Sequence, residues 1–322
     1  MIKPIGHRLT AVALVASVAL LLAGCSSSGS ASKGVTPTPT DTAVGAVMVN
    51  GFSISADPKV AALLPAQYKS GISMVTSAPY PPFEMFDKAQ KLIGLDIDLG
   101  DMIAARLGTK ARWTSIDYNG VIPALQARKY DMVLASIGDT TEREKALDFV
   151  NYSKQGQILV VKKGNPEGIT GLQSLCGKVM SVEAGNIPKG YFISLTKKCS
   201  SLGLKDMTMK ELPKTSDAIL SLKSGSSSAI YLGVATAADL LTTAEGSAFQ
   251  IVTPVGKPFG YIPRYVGAGI PKATPKLRDA VKAALESLLK DGTLLKLYTK
   301  YGQAIILTDR ITVNNVVEVP LL

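Results

Sequence analysis

The residue best suited to gripping an anion is Arg143, at the end of Ser-Ile-Gly-Asp-Thr-Thr-Glu-Arg, residues 136–143. The stretch reads as the end of a buried strand, a turn and a helix start. A planar guanidinium fits a carboxylate through two parallel hydrogen bonds. A cation in the first turn of a helix lies beside the positive end of the helix dipole, and a bound anion would relieve that misfit. Asp139-Thr140-Thr141-Glu142 has the spacing of a capping box, so Asp139 is expected to cap the helix. The alternative is that Asp139 supplies a carboxylate to a ligand.

Other chemistry is excluded by what the chain lacks. Its single histidine is His7, inside a segment expected to be removed. Ser-His-Asp and Cys-His catalysis and histidine metal sites therefore have no material to work with, and neither a cofactor nor a metal is expected. The formal net charge is +10, and without Lys3 and Arg8 there are 33 basic residues against 25 acidic ones. No dense basic run or aromatic-interleaved stripe accompanies that excess, so nucleic acid is not an expected partner.

Lys3 and Arg8 precede an apolar stretch, residues 9–23, that is short for a membrane span. It ends in Leu22-Ala23-Gly24-Cys25, the pattern of a bacterial lipoprotein signal, which makes residues 1–24 a signal peptide and Cys25 the lipidated residue. Residues 25–43 are rich in Ser, Gly, Thr and Pro and read as a flexible tether. Lipid on Cys25 would hold the protein at the outer face of a membrane. In such a compartment the remaining cysteines, Cys176 and Cys199, read as a disulfide, the alternative being two thiols or metal ligands.

The elements alternate. Strands are expected at residues 72–76, 111–116, 131–137 and 157–163, with helices at 96–107 and 119–129 between them. The alternation then restarts: strands at 178–183, 229–232 and 265–270, and helices at 188–197, 215–224, 234–242, 277–291 and 293–301. Short strands alternating with helices imply an α/β class with mainly parallel sheets, arranged as two lobes, each with its own sheet.

Three stretches carry a resemblance: Tyr-Pro-Pro-Phe-Glu with Gly-Leu-Asp-Ile-Asp-Leu in residues 80–108, Ile-Asp-Tyr-Asn-Gly through Thr-Glu-Arg in 116–153, and Leu-Cys-Gly-Lys-Val-Met-Ser-Val-Glu-Ala-Gly-Asn in 175–186. In this order and spacing the chain resembles the family 3 extracellular solute-binding proteins of ABC transporters, the polar amino acid receptors. The resemblance implies a two-lobed periplasmic-binding-protein fold (type II), each lobe a mainly parallel sheet flanked by helices, with a ligand cleft between lobes that close like a hinge. Residues 44–162 and 262–313 would form lobe 1, 163–261 lobe 2, and 314–322 a C-terminal tail.

The same resemblance assigns residues. Tyr80 and Tyr118 match aromatics that sandwich the ligand, and Arg143 matches the arginine on its α-carboxylate. Ser136 matches a contact to the amino group, and Asn186 follows the glycine beside a carboxylate-binding hydroxyl. Glu183 lies where some members send a side chain into the cleft. Three positions depart from the pattern: Ser77 replaces an acid, Gly138 a Thr or Ser, and Gly233 the aspartate that takes the ligand's ammonium. Glu84 and Asp96 match positions read as structural.

The expected function is capture of a small carboxylate-bearing solute, an amino acid or an amino-acid-like compound, for delivery to an ABC permease by a monomeric, non-enzymatic, membrane-anchored receptor. The competing readings are a dehydratase-like enzyme on the same scaffold and a non-transport sensor with a diverged pocket.

Overall fold

A computed structural model describes residues 45–186, 189–254, 256–257 and 259–317. The expected signal peptide, tether and Cys25 lie outside the described residues. Among those described, no helix is long and apolar enough to cross a membrane.

The class is α/β. In the first half-sheet Ile72–Thr76 pairs in parallel with Ala111–Ser115 on one side and with Met132–Val133 on the other. In the second, Val179–Glu183 pairs in parallel with Thr208–Leu212 and with Ala229–Gly233. Two long strands join the halves. Leu147–Lys162 runs antiparallel to Tyr261–Pro271 from Leu147 opposite Pro271 to Gln157 opposite Tyr261. The first also pairs with Ala229–Gly233, and the second reaches Val133 through Gly269. The halves therefore share one hydrogen-bonded array, which corrects the expectation of two separate sheets. A strand of sixteen residues is long enough to serve both halves, and its pairing gives no reason to break between them.

Each half buries both faces of its strands, as the continuous apolar runs require. Over the first half, Leu95–Arg106 turns Leu95, Leu99, Met102 and Ile103 inward at helical spacing, and all four are fully buried. Asp96 and Asp98 sit in its first turn, where the dipole favours negative charge. Pro275–Lys290 starts with proline at a position that needs no N–H and buries Leu277, Val281, Leu285 and Leu288 on the same core. Each such side chain contributes about 1.5–3 kcal/mol through burial. The crossing itself needs glycine: a Cβ on Gly156 would lie 2.3 Å from the Phe259 carbonyl oxygen and 2.5 Å from that of Tyr261.

Two local expectations change. The strand expected over 131–137 pairs only at Met132–Val133, because the chain turns at Ser136, whose φ is +46°. The expected tail begins as ordered structure. Leu307–Val313 adds to the long strand, Asn314 Oδ1 accepts from Phe149 N at 2.8 Å, and Asn314 Nδ2 donates to Asp148 Oδ1 at 3.0 Å.

Cys176 and Cys199 are bonded, with Cα atoms 5.5 Å apart. The bond ties the turn after Leu172–Leu175 to the helix Lys189–Ser201. It spans 23 residues of sequence, and closing such a loop stabilises by about 3 kcal/mol on the chain-entropy model. Replacing both cysteines with alanine should lower unfolding stability by about that amount, measured as a reduced urea midpoint. An unchanged midpoint would show that the bond constrains nothing the rest of the fold does not already hold.

Candidate functional site

The site lies where the crossing strands pass between the halves. A cavity of about 30 Å³ is lined from the first half by Tyr80, Tyr118, Ser136, Gly138 and Arg143, and from the second by Asn186. Gln155, Gln157, Ile262, Arg264 and Val266 line it from the strands themselves. Ser77, Glu183 and Gly233 are not in the lining.

Arg143 spans the cleft. Its Nη1 donates to Gly138 O at 2.8 Å and its Nη2 to Gly185 O, in the opposite half, at 2.9 Å. The guanidinium carbon stands 5.7 Å from the centre of the Tyr118 ring, where the ring face attracts a cation. Burial raises the Tyr118 pKa, and Arg143 partly offsets that.

The surroundings of Arg143 depart from expectation. Arg143–Lys145 is a single 3-10 turn, too short for a macrodipole, so the dipole misfit does not operate. Asp139 caps nothing there. Instead Thr140 Oγ1 accepts from Arg143 N at 3.2 Å. Asp139 is buried, and its Oδ2 accepts from Asn151 Nδ2 at 2.8 Å and from Asn315 N at 2.9 Å. Its own N–H donates to Tyr265 O at 2.8 Å. Asp139 thus bolts the arginine loop to the C-terminal segment and to one crossing strand through its carboxylate, and to the other crossing strand through its N–H, contacts whose distance along the chain no capping pattern encodes.

Tyr80 makes the other contact across the cleft. Its hydroxyl accepts from Gly233 N at 3.2 Å, so it sits at the N-terminus of the helix Val234–Thr242. Burial pushes its pKa up. The ring stacks on Phe83, with centroids 6.0 Å apart; it and Tyr118 share the cavity without stacking on each other. A Cβ on Gly233 would lie 2.6 Å from the Tyr80 hydroxyl. The missing aspartate therefore has a physical counterpart: the tyrosine oxygen stands against the backbone where a side chain would begin.

The carboxyl groups near the cleft face the scaffold. Glu84 and Asp96 are buried side by side. Burial, reinforced by Asp96, raises the Glu84 pKa well above the usual range. Burial moves Asp96 to about 7 against the Ser136 N–H that favours its charge. That N–H donates to Asp96 Oδ2 at 2.6 Å, which secures the left-handed backbone of Ser136. Ser136 Oγ in turn accepts from Gln155 Nε2 at 2.7 Å. Glu183 is buried at the end of its strand. Burial raises it to about 7, with its polar neighbours Thr215 and Asn186 working in the opposite direction. Asn186 Oδ1 accepts from Gln157 Nε2 at 3.1 Å. Ser77 is buried.

Residues on the crossing strands escaped the sequence reading. Asn151, Ser153, Gln155 and Gln157 recur at every second position of the strand Leu147–Lys162, and that period was the available signal for a polar face. Arg264 carried no such signal. Among the described residues no cluster of potential metal ligands occurs.

Comparison with known proteins places this geometry in company. The model of "Bacterial extracellular solute-binding proteins, family 3" matches residues 72–304. The lysine/arginine/ornithine-binding periplasmic protein of Escherichia coli (strain K12) is 28% identical over 228 residues, covering 70% of this chain and 85% of that protein. Among solved structures, an ancestral arginine-binding protein bound to arginine is similar at 34% identity and a TM-score of 0.63, covering 71% of this chain and 97% of that one. An ancestral amino acid-binding protein described as a precursor of cyclohexadienyl dehydratase is 28% identical with a TM-score of 0.58, covering 71% and 95%.

Two outcomes follow. An unfolded aspartate releases its proton near pH 3.9, whereas folded Asp96 holds it to about 7. Between those values the folded chain binds more protons, so this group's contribution to stability falls as pH rises from about 4 to about 7 and levels off above. Asp96→Asn should flatten that decline when urea midpoints at pH 4.5 and pH 8 are compared. Separately, Gly233→Ala should destabilise the chain, and less so in a Tyr80→Phe background. Additive effects in that double-mutant cycle would mean the hydroxyl and Gly233 do not meet.

Proposed function

Because the chain belongs to the bacterial extracellular solute-binding proteins, family 3, we propose that it is an extracytoplasmic receptor. It captures a small carboxylate-bearing solute of the amino acid class by hinge closure and delivers it to an ABC importer. The observation that carries this is Arg143, whose two terminal nitrogens reach carbonyls on opposite sides of the cleft. A carboxylate arriving at that guanidinium touches both halves at once, so binding it is coupled to closing them. The ligand-side donors are Ser136, Gln155, Gln157 and Asn186, with Tyr80 and Tyr118 as apolar walls. Ser77, Gly138 and Gly233 contribute by the room they leave, and Glu183 stands behind Asn186.

The cavity of about 30 Å³ holds about one or two waters. A solute of amino acid size enters when the Tyr80–Gly233 and Arg143–Gly185 contacts part. The moving bodies in this reading are residues 44–162 with 262–313 and residues 163–261, and the crossing strands are the hinge. Lipid on Cys25, beyond a tether over 25–43, would keep this monomeric receptor beside its permease. Relatives that are named as binding proteins, and the lack of any histidine after His7, support binding without turnover. The likeness to a dehydratase precursor and the near-neutral pKa of buried Glu183 favour the enzyme as second reading; conversion of a prephenate-like acid would establish it.

The test is a thermal-shift screen over amino acids and simple carboxylates. A ligand at a hundredfold excess over its Kd adds about 2.7 kcal/mol of stability. Arg143→Ala should remove that gain. A shift that survives the substitution sinks the carboxylate-clamp reading.

A further inference from the structure

We propose that a second binding surface, at the end of the first half-sheet opposite the cleft, docks the protein on an anionic lipid bilayer through Lys69, Lys110 and Arg112. It goes beyond solute capture and rests on the reading of the N-terminal segment as a membrane attachment.

The surface follows from how two parallel strands begin. Ile72–Thr76 and Ala111–Ser115 run side by side. Past their C-terminal ends the chain reaches Tyr80 and Tyr118 in the cleft, and just before their N-terminal ends stand Lys69-Ser70 and Lys110. Five residues of strand put about 16 Å between the two ends. Hydrogen bonds tie the two entry loops together: Ile72 N donates to Lys110 O at 2.9 Å, and Thr109 Oγ1 to Tyr68 O at 2.7 Å. Arg112 Nη2 donates to Ser70 O. Its guanidinium lies across Gly71, where a Cβ would be 2.8 Å from Nε. The three basic residues are thus set on one braced rim.

Between them lies a concavity of about 420 Å³, to which Lys69, Ser70, Lys110, Arg112, Gly45 and Val47 contribute. That is within the size range of sites that take small ligands or headgroups. No carboxylate lines it. Among the described residues none of the three exposed cations has an ion pair.

The position of this rim in the chain says what covers it. Gly45 and Val47 follow directly on residues 25–43, read above as the tether from Cys25. A coil of that length and composition spans about 25 Å on average. The point of entry is fixed to the fold. Val47–Val49 pairs with Phe52–Ile54 across an Asn50-Gly51 turn, and Asp98 Oδ2 accepts from Asn50 Nδ2 at 2.6 Å and from the Tyr301 hydroxyl at 2.8 Å. Val47 is 46% exposed and Met48 66%, so apolar side chains adjoin the cations, the pairing that suits a headgroup boundary. A basic cluster held this close to a membrane attachment is drawn to anionic lipid, at about fivefold in binding per cation. Docked by this end, the protein leaves its cleft uncovered.

The test uses the full chain attached through its N-terminal segment to vesicles of phosphatidylcholine, alone or mixed with phosphatidylglycerol. Trp113 is the single tryptophan and follows Arg112, so energy transfer from it to a headgroup-labelled lipid reads docking. Transfer should rise on the anionic vesicles and fall away in about 0.5 M salt, where screening acts over about 4 Å. Lys69→Gln with Lys110→Gln should lower the docked-to-undocked ratio about 25-fold. The same pair should leave the urea midpoint and the ligand-induced thermal shift unchanged. Lys210→Gln with Lys214→Gln, which removes equal charge from the other half, should change the ratio by less than about threefold. Equal transfer on both kinds of vesicle, or an equal loss in the two double variants, overturns the docking surface and leaves the anchor and the receptor standing. Transfer abolished by millimolar inorganic phosphate at constant ionic strength marks a free-anion site and overturns the bilayer assignment. Failure to float with either kind of vesicle overturns anchor and docking together.

Discussion

The pairing of Leu147–Lys162 with Tyr261–Pro271 is the constraint on which the rest of the molecule depends. Each strand belongs to both halves, so neither half has a complete sheet without the other's continuation. Side chains alternate across a strand, which turns one face of the crossing into core and leaves Gln155 and Gln157 facing the cleft. The same two strands hold the arginine loop. Asp139 N donates to Tyr265 O, Gly138 bridges Val266, and Asn151 reaches the Asp139 carboxylate. A movement of the hinge therefore acts directly on the residues that meet a ligand.

Around this crossing the buried carboxyl groups of Glu84, Asp96 and Asp139 lie outside the lining of the cavity, whereas Arg143 lies within it. Burying a charge is tolerated when it is hydrogen-bonded or neutralised, and both solutions occur within one cluster. Burial beside Asp96 raises the Glu84 pKa and so favours its neutral form, and Asp139 gathers an amide side chain and a backbone N–H. These acids act as braces. Asp96 fixes the unusual backbone of Ser136, and Asp139 fixes the turn that presents Arg143. The C-terminal segment completes the second brace through Asn315, although it lies beyond residue 304, where the family match ends.

Local patterns in the sequence carried much of this, and the long-range contacts carried the remainder. The helices Leu95–Arg106 and Pro275–Lys290 were legible because apolar residues recur at helical spacing between clear start and stop signals. The convergence of Tyr80, Tyr118, Ser136, Gly138 and Arg143 followed from motif order. Asp139 misled because a capping box is a local pattern, whereas its actual partners are Asn151 and Asn315, brought to it by the fold. Arg264 was silent for a related reason. Its direction is set by a register slip between two strands more than a hundred residues apart in the chain, and no short-range period records a slip.

The two glycine departures take on meaning once the fold pairs them with distant side chains. Gly233 faces the hydroxyl of Tyr80, and Gly138 faces the stem of Arg264. In each case a small residue in one segment accommodates a large polar one in another. A pocket that had merely lost its ligand contacts would be expected to leave such positions facing open space. Here each absent side chain adjoins a group that can hydrogen-bond: a phenol at the start of a helix, and the guanidinium of Arg143. That mutual fit between distant segments argues against a pocket that has merely decayed.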